Sequence, residues 1–375
     1  MNEAIRRDAG WRRGAPVAIA TLALSTVALF VFAPVASAAY DPVASGTTKL
    51  TLDKGFLVLL KQNGVKLSTR ESAKLGGGAV TFPVSGGKLD PTSAKATVEH
   101  EGTLLFSAGK RSIPLRALQL KTTQKRAPLS AKLGGSQLKL ASAAKLSSSR
   151  EGFGFKVKVT TLKLSGKVAE RLDKKLHLRG VFKEGQPIGS SLTKTRPATV
   201  TVLGSGKASL ALDPGTIAKL NELFVAVNPI FPAEHIGSAF TLPIFGGTIA
   251  PDASSGILET SGALELIQLF GGQVFLHEPW CDLGAKALSA EVDVEPSPPY
   301  PGKEGRVGVG ALGLTGATIA SDPKTRTVAV ENATVTMQAG LAETLNEVFA
   351  KPKGKGNVFK AGDPLGVISF DAQGQ

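Results

Sequence analysis

Along most of the chain, apolar and polar residues take turns one by one. Residues 136–140, 153–160, 199–203 and 327–335 follow this rule, with Val, Thr, Leu and Phe at alternate positions. A period of two in segments rich in β-branched residues predicts strands with one buried and one wet face. Runs of glycine at 76–78, 86–87, 134–135 and 246–247 punctuate these segments and are expected as turns. Helical spacing is confined to short stretches. Ala169 and Leu172, Ile217 and Leu220, and Ala342 and Leu345 lie three apart, each pair followed by Asp or Asn. Asp213-Pro214 gives the second stretch an N-cap and a proline at the first helical position. Residues 55–62, behind Asp53, are expected to mirror it. The fold class is therefore all-β, antiparallel and sandwich-like, with one or two short helices per domain.

The pattern occurs twice. At a shift of 160 residues, Gly46, Leu50, Leu52, Asp53 and Gly55 fall on Gly206, Leu210, Leu212, Asp213 and Gly215. Residues 79–87 fall on 239–247, and Pro91, Glu99, Gly102 and Leu104 on Pro251, Glu259, Gly262 and Leu264. Residues 181–189 match 358–366 at a longer shift, sharing Val-Phe-Lys-x-Gly-x-Pro-x-Gly or its close variant. Two homologous domains are expected, 40–195 and 196–375. Residues 1–38 stand apart. Arg6, Arg7, Arg12 and Arg13 precede an uncharged apolar run from 15 to 32 and the triplet Ala36-Ser37-Ala38. This is the layout of a secretory signal peptide cleaved before Ala39. The alternative is an uncleaved anchor, since the run is near the minimum of about 18 residues for a membrane span. Either way the mature protein is expected outside the cytoplasm, secreted or at the cell envelope, with no membrane span after signal cleavage.

Charge separates the two copies. Residues 39–195 hold 28 Lys+Arg against 10 Asp+Glu, a balance of +18; residues 196–375 hold 12 against 18, a balance of −6. A basic surface outside the cell suits anionic partners such as wall polymers, phospholipid headgroups or carboxylated ligands. The same lysines also serve as solvated strand faces and edge protection. Nucleic acid is not an expected partner, because the basic stretches 121–126 and 167–183 carry almost no aromatic residues for stacking on bases.

The chemistry available is sparse. A single Cys excludes a disulfide framework and Cys-rich metal sites, and four His leave little for others. H-E-x-x-H, G-x-S-x-G, Walker A and C-x-x-C motifs are all missing. Residues 308–313 match G-x-G-x-x-G, but Val307, Val309 and Ala311 continue strand alternation, so these are expected as strand glycines. His277 and Cys281 sit four apart beside Glu278 and Asp282. Pro279 forbids the helix that would put them on one face, and a turn with Trp280 packed inward is expected. No catalytic or metal-binding residue is assigned, and the protein is read as a non-enzyme. His100, within residues 98–104, is the assigned ligand-binding residue: a neutral imidazole could ligate iron or orient another ligand. A half-exposed strand histidine is the plainer reading. The second copy has Thr260 at this position.

Residues 79–87, the run His100-Glu101-Gly102-Thr103-Leu104 and the closing Phe-Lys-x-Gly-x-Pro-x-Gly together make the repeat resemble the HtaA-type conserved-region domain of exported actinobacterial haem-binding proteins. The resemblance spans about 45–370. It implies a β-sandwich that binds haem through an axial Tyr in its first helix, supported by a nearby His; a hard anionic oxygen suits Fe(III). In this chain the first helix reads Phe56-Leu-Val-Leu-Leu60 in one copy and Thr216-Ile-Ala-Lys-Leu220 in the other, with no Tyr in either. The tyrosines are Tyr40 and Tyr300. The expected function is a secreted or cell-surface non-enzymatic binding protein, with haem as the implied cofactor and haem binding or uptake as its role. The alternative is a structural or adhesive envelope protein that kept the fold, lost haem, and contacts wall polymers or a partner protein.

Overall fold

A computed structural model describes residues 40–93, 95–123, 129–133, 135–295 and 302–375. The expected signal peptide, 1–38, and Tyr300 lie outside the described residues.

The alternating segments form strands, and the strands close into two rings. The first ring runs Arg111–Lys121, Ala96–His100, Ala79–Leu89, Asp41–Leu52, Pro187–Pro197, Gly154–Leu164, Ser136–Ala143 and Leu129–Leu133, which pairs back onto Arg111–Lys121. The second repeats this order with Gln273–Asp282, Gly256–Thr260, Ala239–Ile249, Val200–Leu212, Pro364–Gly374, Thr327–Met337, Lys303–Gly313 and Ala287–Val294. All these pairings are antiparallel. The sandwich-like arrangement thus takes the form of two tandem eight-stranded barrels, each sheet closed on itself, which removes most free edges. From each ring a two-stranded arm projects. In the first barrel it is Val65–Arg70 paired with Thr103–Ala108, and in the second Val225–Ile230 paired with Ala263–Gln268. Residues 308–313 lie within the strand Lys303–Gly313.

Among the described residues four short α-helices join the strands: α1 (Lys54–Gln62), α2 (Gly166–Leu176), α3 (Pro214–Glu222) and α4 (Ala339–Leu345). The Asp53 carboxylate accepts from the Phe56 amide at 3.0 Å and caps α1. Asp213 accepts from Gly215 and Thr216 at 2.8 and 3.2 Å and caps α3, whose first residue is Pro214. The apolar stripe of α2, Val168, Ala169, Leu172 and Leu176, is buried in the first core, as Leu341, Ala342 and Leu345 of α4 are in the second. Burying each such Leu contributes about 1.5–3 kcal/mol.

Two of the expected turns are something else. Gly86-Gly87 and Gly246-Gly247 lie inside the long strands Ala79–Leu89 and Ala239–Ile249, and the register slips there, between Val84 and Gly86 and between Ile244 and Gly246. Gly87 sits at φ +134° and Gly247 at +115°, and a Cβ on either would overlap the facing carbonyl oxygen of Thr97 or Ile257. These glycines permit a β-bulge at which two strands approach closely. Gly76–Gly78 does form a turn, between Lys74–Gly76 and Ala79–Leu89.

The barrels meet at a polar joint. The buried Asp41 carboxylate accepts from the Thr201 amide and hydroxyl at 2.9 and 3.0 Å. Arg150 stands 3.9 Å from the second Asp41 oxygen and donates to the Pro91 and Gln375 main-chain oxygens at 2.9 and 2.7 Å. Arg326 donates to the same Gln375 oxygen. Phe153, from the first barrel's sequence, packs in the core of the second.

Candidate functional site

His100 ends the strand Ala96–His100 and points into the first barrel, 4% exposed. Its Nδ1 lies 2.9 Å from the Leu118 carbonyl oxygen and its Nε2 2.6 Å from the Thr48 hydroxyl, which is 2.7 Å from the Thr193 hydroxyl. A carbonyl can only accept, so Nδ1 carries the proton and Nε2 accepts from Thr48, which in turn accepts from Thr193. The tautomer and the direction of the chain follow from that one carbonyl. Burial holds the imidazole neutral and pushes its pKa down to about 4, against the smaller opposing effects of the Leu118 carbonyl and Glu99. The plainer expectation, a half-exposed strand histidine, is replaced by a fully buried one. A hollow of about 350 Å³ beside it is edged by Ser85, Glu99, Gln119 and Gln137.

The second barrel shows what this cluster replaces. Strand pairing matches Thr48 and Thr193 with Ala208 and Phe370, and Leu118 with Pro279. Thr260 donates to the Pro279 carbonyl at 2.6 Å, the bond that His100 makes to Leu118. The residues before those carbonyls, Ala117 and Glu278, share a left-handed φ of +47° and +44°. A Phe, an Ala and a Thr in one barrel therefore occupy the place of a Thr, a Thr and a His in the other.

A second feature of the first barrel is a groove of about 410 Å³ between α1 and the strands Val65–Arg70 and Lys74–Gly76. Leu52, Leu57, Leu60, Val65, Leu67 and Leu75 make it apolar, Lys61 and Lys66 stand exposed on its rim, and Gly64 leaves its end open. The repeat puts Asn221, Ala226 and Phe224 at the places of Lys61, Lys66 and Gly64. The second barrel thus lacks both cations and carries a ring where the first has no side chain. The lining of the first groove suits a flat apolar body bearing carboxylates. Its leucines and lysines would hold the porphyrin body and propionates of a haem, and it includes no Tyr, His, Met or Cys to ligate the iron.

The remaining histidines join no metal-ligating cluster among the described residues. His277 and Cys281 lie in the strand Gln273–Asp282, bulged at Glu278, rather than in a turn. Cys281 is buried, its thiol pushed up to about 12 by loss of solvation and by Asp282, which keeps it protonated and inert. His277 stacks on Phe275 at 5.5 Å. Trp280 is half-buried under the Arg306 guanidinium, 3.9 Å from the ring centre, and its indole Nε1 is buried without a hydrogen-bond partner among the described residues. His177 is the exposed left-handed C-cap of α2, and His235 stacks on Phe240 at 4.6 Å. Among the described residues no three metal-ligating side chains converge, and no helix is long and apolar enough to cross a membrane.

No protein-family model matches the chain, and no curated protein matches it. Solved structures do. The chain is similar to the C-terminal domain of HtaA from Corynebacterium glutamicum, at 12% identity and a TM-score of 0.37, over 46% of this chain and 98% of that one. It is similar to the N-terminal domain of HtaA from the same organism at 10% identity and a TM-score of 0.35, over 46% and 99%. It is also similar to the heme binding protein HtaB of that organism at 11% identity and a TM-score of 0.33, over 47% and 96%.

Proposed function

We propose that the chain is a non-enzymatic binding protein, secreted or held at the cell surface, whose first barrel takes an amphipathic anionic ligand of the haem class in the α1 groove. The observation that carries this reading is the pairing of leucine walls with the rim lysines Lys61 and Lys66, in a groove whose counterpart in the second barrel has neither cation. The +18 balance of residues 39–195 favours the same ligand charge. The sequence resemblance agrees, because it assigns the ligand to the first helix. Bound haem would supply the flat apolar body and two carboxylates; the chain's own part is to desolvate the body and pair the carboxylates. His100 enters this reading as a core residue, since both its ring nitrogens are engaged.

The test is a hemin titration of the whole chain, followed in the visible spectrum beside Lys61→Glu/Lys66→Glu and His100→Ala. A saturable, shifted Soret band at one equivalent is expected, weakened about tenfold or more by the lysine reversal and little by His100→Ala. Loss of the band in His100→Ala alone would move the ligand to His100. A featureless spectrum would overturn haem-class binding and favour a wall polymer or protein partner.

A further inference from the structure

The far tip of the second barrel exposes what a folded domain ordinarily hides. Phe224 is 63% exposed, Leu269 60% and Phe270 98%. Both phenylalanines also hold a left-handed backbone, at φ +57° and +55°. For a bulky side chain that conformation is an outlier and costs about 1–3 kcal/mol. The first barrel avoids both costs, with Gly64 at φ +65° in place of Phe224 and the shorter turn Gly109-Lys110, left-handed only at Gly109 (φ +58°), in place of Leu269-Phe270-Gly271. Fold stability therefore gives no account of these rings, and their use lies outside the barrel.

The tip is built to be stiff. Gln268, buried where the first barrel has Ala108, donates to the Leu223 carbonyl at 2.8 Å and to the Phe349 carbonyl at 3.1 Å. The Leu269 amide donates to the Phe224 carbonyl at 3.0 Å. One buried amide side chain thus ties three segments into a single platform: the end of α3, the turn 269–272, and the π-helical turn Asn346–Ala350 that follows α4.

Positive charge is gathered on the same platform. The second copy has 12 Lys+Arg in 180 residues, and Lys351, Lys353, Lys355 and Lys360 account for four of them within ten positions. Lys351, Lys353 and Lys355 are exposed. The Lys353 ammonium lies 5.4 Å from the Phe224 ring centre, and Lys355 donates to the Glu222 carbonyl at 3.4 Å. Lys351 pairs with Glu347, and the Asp363 carboxylate accepts from the Lys360 amide at 2.9 Å. In a half whose balance is −6, this is a local reversal of sign placed against protruding aromatic rings.

Rings that enter an interface with ammonium groups behind them suit one surface chemistry in particular, an apolar layer under a sheet of phosphates. We propose that this tip docks on an anionic phospholipid bilayer, with Phe224, Leu269 and Phe270 entering the headgroup–acyl boundary and Lys351, Lys353 and Lys355 pairing with lipid phosphates. The contact is peripheral and involves no spanning segment.

The experiment uses the whole chain carrying Phe270→Trp, with wild-type fluorescence subtracted, titrated with vesicles of phosphatidylglycerol and phosphatidylcholine or of phosphatidylcholine alone. A reporter at position 270 reads the tip and not the apolar segment at 15–32. A blue shift and quenching by brominated lipid are expected on the anionic vesicles and reversed by added salt. Lys351→Ala/Lys353→Ala/Lys355→Ala should lower the partition coefficient roughly 100-fold at low salt. Phe224→Gly/Phe270→Gly should lower partition at least tenfold with a thermal midpoint no lower than wild type, because glycine suits both φ values. An unmoved reporter, or an equal shift on neutral vesicles, overturns the proposal. So does a concentration-dependent shift without vesicles, which would mark a second copy of the chain as the occupant.

Discussion

His100 shows how one carbonyl can fix a whole side-chain network. Because the Leu118 oxygen only accepts, the imidazole is neutral with a defined tautomer, and the Thr48 and Thr193 hydroxyls have one consistent orientation. With its pKa pushed down to about 4 from an ordinary 6.5, the unfolded chain binds the extra proton first as pH falls. The neutral histidine's contribution is complete above pH 6.5 and is lost between there and about 4, amounting to roughly 3 kcal/mol. Urea midpoints measured from pH 7.5 to 4 should fall across that window in wild type and fall less in His100→Thr, the residue the second barrel uses; equal slopes would remove His100 from the acid response. None of this was legible in the sequence around residue 100. The partners lie 18, 52 and, for Thr193, 93 residues away, and neither a hydroxyl nor a main-chain oxygen carries a signature that names its imidazole. The groove lysines were equally silent, since Lys61 and Lys66 read as two more cations in a basic half.

At the level of strands and helices the chain was far more readable. Alternation located the strands, and Asp53 and Asp213 located two helix starts, because both signals depend on neighbours within four residues. The Gly-Gly pairs misled for a definable reason: a turn and a bulge both ask for a residue without Cβ, and only the facing strand decides between them. The two uses differ in energy. Gly87→Ala should destabilise the first barrel by about 3 kcal/mol or more, as it combines φ +134° with overlap on the Thr97 carbonyl. Gly109→Ala, at φ +58° with open space around it, should cost about 1 kcal/mol. Thermal or urea unfolding of the pair checks this, and similar losses would mean that the bulge relaxes.

For the molecule as a whole, the two barrels are joined by a small polar cluster around the buried Asp41. Loss of solvation raises the Asp41 carboxyl's pKa despite two bonds from Thr201 and the nearby Arg150 and Arg326. A raised carboxyl pKa means that the protonated form is the better tolerated, so acidification relieves this site while it weakens His100. Asp41→Asn should therefore be nearly neutral, whereas Asp41→Ala, which leaves the Thr201 amide unpaired, should cost about 1–3 kcal/mol. Small-angle scattering would show whether the second change also loosens the barrels, and equal effects of the two would refute the role given to the carboxylate. The two-stranded arms carry a different consequence, for the company the molecule keeps in solution. Val65–Arg70 and Val225–Ile230 each have a ladder partner on one side only, among the described residues. The first is guarded by Lys66 and Arg70, the second by Pro229, which has no N–H to offer. Repulsion fades beyond about 10 Å in 0.1 M salt, while a missing donor does not. Brine should therefore unlock the first arm for strand-by-strand polymerisation and leave the second shut.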